Sequence, residues 1–67
     1  MKFIKMRIVH TKEWEHVMTS LQMSLGFVAT YKRKLVWIAC FNPMDAEIIR
    51  DELAEFGSTY EGTWKLC

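Results

Sequence analysis

The first residues alternate, with Ile4, Met6 and Ile8 on one parity and Lys5 and Arg7 on the other. A period of two is the pattern of a strand with one covered face, so residues 3 to 9 read as a strand. Thr11 then stands as a helix N-cap, with Glu13 and Glu15 in the first turn where carboxylates meet the positive end of the helix dipole. Trp14, Val17, Met18, Leu21 and Leu25 recur at helical spacing and form one stripe, and Gly26 supplies the left-handed residue that ends the helix.

Residues 27 to 31 and 35 to 41 are rich in β-branched and aromatic types and flank Lys32, Arg33 and Lys34, the pattern of a hairpin. Its tip lacks the Asn-Gly or Gly-Xaa chemistry of the tightest turns, so a loop longer than two residues is expected. Asn42 caps a second helix, Pro43 takes its first position, and Asp45 and Glu47 follow. Ala46, Ile49, Leu53 and Phe56 make the second stripe, and Gly57 closes it. A last strand over residues 59 to 66 carries Tyr60, Trp64 and Leu66 on one parity.

The order is β-α-β-β-α-β, and the halves share a spacing: Thr11 to Gly26 and Asn42 to Gly57 are both 15 residues. Laid over one another at an offset of 31, the halves place Ile4, Met6 and Ile8 on Leu35, Trp37 and Ala39. That overlay puts Trp37 inside and Val36, Ile38 and Cys40 on the outer face. Residue identity between the halves is slight, so the relation is structural pseudo-symmetry rather than a duplication. Right-handed crossovers interleave such halves into an antiparallel four-stranded sheet of order 4-1-3-2, with both helices on one face. The expectation is a single α+β domain over residues 1–67, a ferredoxin-like sandwich, and that fold serves many unrelated functions.

At 67 residues there is room for one core and little for a large cleft, and half of the residues are hydrophobic. Such a small domain depends on dense burial or on a staple such as a disulfide, a metal or a second subunit. Cys40 and Cys67 have no pairing frame, which points to a reducing, cytoplasmic setting. The amino-terminal residues interleave charges with apolar positions and lack the continuous block of a signal peptide or membrane span, so no membrane is expected.

His10 and His16 lie six residues apart, too few and too poorly phased for a metal site without distant ligands. Ser20, Ser24 and Ser58 stand in no elbow-like glycine setting. The carboxylates Asp45, Glu47, Asp51, Glu52 and Glu55 read as a solvated helix face. No catalytic residue, metal or cofactor is expected, and the chain reads as non-enzymatic.

Charge is divided along the chain: residues 1 to 34 carry +5 and residues 35 to 67 carry −4. With Lys5 and Arg7 beside an aliphatic row of Val36 and Ile38, the outer face reads as a surface covered by another protein, a second copy in a homodimer included. Lys32, Arg33 and Lys34 add a polar contact at the hairpin tip. The function expected is a regulator or inhibitor that covers a partner's surface, such as an accessory protein of a mobile element or phage. The alternative is a small RNA or other nucleic-acid binder using the tip and the sheet face. That reading asks for aromatic residues on the exposed central strands. It gains if the register of the third strand is reversed, because Trp37 and Phe41 then join Lys5 and Arg7.

Overall fold

A computed structural model describes residues 1–64 of the chain. The elements follow in the expected order: β1 (Lys2–Arg7), α1 (Lys12–Leu25), β2 (Val28–Lys32), β3 (Leu35–Cys40), α2 (Asp45–Ala54) and β4 (Tyr60–Thr63). The four strands form one sheet of order β2-β3-β1-β4, every pair antiparallel. This is the α+β sandwich expected from the sequence, with both helices packed on one face of the sheet.

Local chemistry explains the helix ends. The Thr11 hydroxyl accepts the Trp14 backbone N–H, and Gly26 at φ 71 gives its own N–H to the Gln22 carbonyl. Asn42 acts slightly ahead of α2: its Oδ1 accepts from the Met44 N–H at 3.0 Å, so regular helix starts at Asp45 rather than at Pro43. Past Ala54, Gly57 N–H bonds the Ala54 carbonyl and Ser58 N–H reaches the Leu53 carbonyl, the paired closure that a left-handed Gly57 permits.

The core is built from Ile4 and Met6 of β1, Val36, Ile38 and Cys40 of β3, Trp14 and Met18 of α1, and Ala46, Ile49 and Leu53 of α2, with Phe27 at its edge. Both helical stripes therefore face inward as their spacing requires. The third strand does not follow the overlay of the halves. Ile4 stands opposite Ile38 and Met6 opposite Val36, so Val36 and Ile38 are buried core residues, while Leu35, Trp37 and Ala39 take the outer face. The reason lies in the second strand-to-helix link. Helix α1 starts directly after Thr11, at Lys12, whereas Pro43 and Met44 stand between Asn42 and the start of α2 at Asp45, so Thr11 and Asn42 are not equivalent positions and the offset of 31 that they suggest does not carry over to the strands.

Two more expectations change. The hairpin turn contains only Arg33 and Lys34 between the paired Lys32 and Leu35, and Arg33 adopts φ 61 to make it. A positive φ at the first turn residue alone is the sign pattern of a II′ turn, which glycine fills without strain. In β4 the register slips between Tyr60, opposite Met6, and Thr63, opposite Ile4. Three residues on β4 span what two span on β1, a bulge at Glu61 and Gly62 with Gly62 at φ 108. The extra residue breaks the expected shared parity: Tyr60 stays on the helix side under Arg50, and Trp64 goes to the outer face. Leu66 lies outside the described residues.

Candidate functional site

The outer face of the sheet gathers most of the chemistry. In an antiparallel pair, directly opposed residues share a face. The register therefore aligns Phe3 with Ala39, Lys5 with Trp37 and Arg7 with Leu35 on the two central strands, and Thr30 and Lys32 extend the same face onto β2. Trp64 arrives from the end of β4 and folds back over the centre. Its ring centroid is 4.6 Å from that of Phe3 and 5.4 Å from that of Trp37, tilted by 55° and 67°. Such edge-to-face arrangements match the ring quadrupoles. The result is a half-buried aromatic cluster in the middle of a face without helices.

Cations surround it. The Lys5 ammonium lies 5.3 Å from the Trp37 ring centroid, within cation–π range. The Arg7 Nε is 3.5 Å from Glu61 Oε2, a loose exposed pair, and the same carboxylate oxygen accepts from the Thr59 hydroxyl at 2.7 Å. That hydroxyl, together with the positive charge of Arg7 and Lys5, holds the Glu61 carboxyl below the ordinary range. Lys32 continues the row, and Arg33 and Lys34 form the tip beside it, where the Lys34 carbonyl takes the Ile8 N–H.

Charge is thus segregated by layer more sharply than along the sequence. Among the described residues the outer face and tip hold Lys5, Arg7, Lys32, Arg33 and Lys34 against Glu61 alone, a net +4. Among the described residues the helix side holds Lys2, Lys12 and Arg50 against Glu13, Glu15, Asp45, Glu47, Asp51, Glu52 and Glu55, a net −4. A nearly neutral chain therefore presents one basic face and one acidic face.

Of the residues singled out from the sequence, Lys5, Arg7 and Lys32 come together on this face, and Arg33 and Lys34 sit at its end. Val36 and Ile38 do not join them. The expected outer aliphatic row lies in the core instead, with both residues fully buried, because Val36 and Ile38 stand opposite Met6 and Ile4 on the covered face. Phe41 is exposed just beyond β3. Sequence reasoning missed Phe3 and Trp64. Phe3 shares parity with Lys5 and Arg7, a signal that was present; Trp64 depends on the bulge, for which Gly62 was the only mark.

Two indole groups are unusual. Trp64 Nε1 donates to the Ile4 carbonyl at 3.2 Å, whereas the N–H groups of Trp14 and Trp37 are buried with no acceptor among the described residues. Among those residues no three His, Cys, Asp or Glu side chains gather as a metal site would need, and no helix is long and apolar enough to cross a membrane. Comparison of the chain with protein families, curated proteins and solved structures gives no match.

Proposed function

We propose that this protein binds single-stranded nucleic acid on the outer face of its sheet, as a binding module without a chemical step, in the cytoplasm. The observation that carries this reading is Trp37 on the outer face of a central strand, opposite Lys5 and packed with Trp64 and Phe3. Sheets that bind single strands stack two or three bases on aromatics of their central strands. Stacking is tolerant of sequence, because every base offers a π face, and alanine substitution costs about 1–3 kcal/mol per base. Lys5, Arg7, Lys32 and the Arg33-Lys34 tip supply a continuous positive track for phosphates at the margin of the cluster. Glu61 is the one carboxylate in that track among the described residues.

Titration of a fluorescein-labelled oligouridylate and oligothymidylate, followed by anisotropy across a salt series, tests the reading. Affinity should fall with salt with a log–log slope of about −0.7 per phosphate neutralised. Tryptophan emission should be quenched on binding, as bases stack on Trp37 or Trp64. Equal binding to a non-aromatic polyanion such as heparin, without quenching, would reduce the site to a charged patch and sink the proposal.

A second reading, a regulator that covers a partner protein, is favoured by a different surface. Phe41, Met44 and Ile48 are 60%, 74% and 47% exposed around the start of α2, beside its acids. A basic partner would suit that patch, and a second copy offering its own basic sheet face is one such partner. Light scattering at low and high salt separates self-association from nucleic-acid binding.

A further inference from the structure

The sheet ends in β2 on one side and β4 on the other, and the two edges are built differently. β4 is blunted: it has four residues, its register slips at Glu61 and Gly62, and a carboxylate stands on it. Short length, bulges and charge are the ordinary devices that keep an edge from pairing with another chain. β2 carries few of them. Its five residues pair with β3 without a slip, all but Ala29 are exposed, and no charge or proline interrupts Val28 to Tyr31. Val28, Thr30 and Tyr31 are also strong strand formers.

The turn decides which backbone groups of this edge are free. A two-residue hairpin turn closes on a pair that exchanges both hydrogen bonds, so Lys32, and with it Thr30 and Val28, bond β3. Ala29 and Tyr31 alternate with them and turn N–H and C=O away from the sheet, where no group among the described residues meets them. The next carbonyl of that parity, on Phe27, already accepts from Gln22 Nε2 at 3.3 Å. Four free groups on two residues remain, and they are self-complementary. A second β2 running antiparallel, with Thr30 on the two-fold axis, sets Ala29 against Tyr31 of the other copy twice and pairs all of them. Centring the axis on Tyr31 would set Ala29 against the turn residue Arg33, and centring it on Ala29 would call on the occupied Phe27 carbonyl. Side chains favour the same register: Lys32 meets Val28 of the other copy rather than a second lysine, and Thr30 meets Thr30, a favourable cross-strand pair. On the helix side Tyr31, 55% exposed, lies against the small Ala29 of the other copy.

We propose that two copies of this chain pair through β2 in that register and join their sheets into one of eight strands. The dimer needs no nucleic acid, so it stands or falls apart from the reading above. A seam of five residues a side belongs to the small interfaces, below about 1,200 Å², which are weak and transient, so the full chain is measured from micromolar to millimolar concentration. Light scattering should show the mass rising above the 8.0 kDa of one chain, while the backbone amide signals of Ala29 and Tyr31 move downfield together. The basic faces lie side by side in this dimer, so added salt should hold or tighten it, whereas a basic face docked on an acidic helix side would loosen. Val28→Glu and Thr30→Lys change exposed positions and spare the core. The first sets two opposite-charge pairs with Lys32 across the seam and should tighten the dimer about fivefold, and the second opposes two lysines on the axis and should loosen it by a similar factor. A chain that stays at the mass of one copy at millimolar concentration, a dimer that salt dissolves, Ala29 and Tyr31 amides that do not move, or two substitutions that act in the same direction or not at all would each overturn the proposal.

Discussion

Trp64 and Ile4 are joined across 60 residues of chain, the indole Nε1–H of the first donating to the backbone carbonyl of the second at 3.2 Å. The bond pins the end of β4 to a central strand and holds the Trp64 ring against Phe3 and Trp37. Trp64→Phe keeps an aromatic ring but loses the donor, and should cost about 1 kcal/mol. Trp64→Ala also removes the edge-to-face contacts and should cost about 2 kcal/mol, less than for a fully buried aromatic. Urea denaturation measures both, and equal stability of the two variants would show that the hydrogen bond and not the ring matters.

The register of β3 predicts a sharp contrast between neighbours. Ile38 is fully buried opposite Ile4, so Ile38→Ala should cost about 2–5 kcal/mol, most of what so small a domain possesses. Ile38→Lys should not fold. Trp37→Thr, one position away on the half-exposed face, should leave a folded chain with near-native circular dichroism. An Ile38→Lys chain that folds normally would mean that the strand lies the other way up.

Arg33 carries the one positive φ of a non-glycine residue among the described residues. Arg33→Gly and Arg33→Asn should raise stability by up to about 1 kcal/mol, because both enter the left-handed region more easily. Arg33→Val should lower it by at least as much, since a β-branched side chain resists that region. Thermal melts of the three variants give the order directly.

These contrasts mark where the sequence was legible. Element order, the core stripes of both helices and the glycines that end them follow from periodicity and capping, because those signals are local and each has one structural solution. The parity of β3 does not. Leu35 to Phe41 is apolar on both parities, so alternation carries no information there, and the two equal cap-to-glycine intervals mislead because Thr11 directly precedes α1 while Asn42 stands three residues before α2. Trp64 eluded the alternation for a related reason, because one extra residue at a bulge inverts everything beyond it. Both errors concern the same surface, so the aromatic cluster was the part least visible beforehand, while Lys5, Arg7 and Lys32 were found because charge on a strand nearly always points outward.

Cys40 gives the fold a pH limit. Burial, with the charge of Asp45 as a smaller cause, pushes the thiol up from its ordinary value. Above the ordinary thiol range the unfolded chain ionises while the folded chain keeps its proton, so the stabilising difference present below that range is lost as pH rises. Stability should fall from about pH 8.5 upward, by at most ~1.4 kcal/mol per pH unit. Cys40→Ala, though less stable from its cavity, should show a shallower dependence. Parallel urea titrations near neutrality and at alkaline pH compare the slopes, and identical slopes would remove Cys40 as their source.

Lys5 offers the most discriminating test of the sheet face, because its two roles there predict opposite effects. Its ammonium supplies a positive charge for a phosphate, yet it also lies over Trp37, the ring proposed to take a base. A cation over an exposed ring is worth only about 0.5–1 kcal/mol, so an arriving base can displace it, and the ammonium then turns to the backbone. Lys5→Met keeps most of the alkyl chain and removes the charge. The log–log salt slope should become shallower by about 0.7, one phosphate contact fewer on a single strand. Affinity extrapolated to high salt, where the ionic contribution vanishes, should hold or rise because the base no longer competes with the ammonium for Trp37. Trp37→Thr should do the reverse, leaving the slope intact and lowering the high-salt affinity by about 1–3 kcal/mol. If both substitutions changed the slope alone, nucleic acid would be held by charge without stacking, and the aromatic cluster would be a second small core rather than a binding surface.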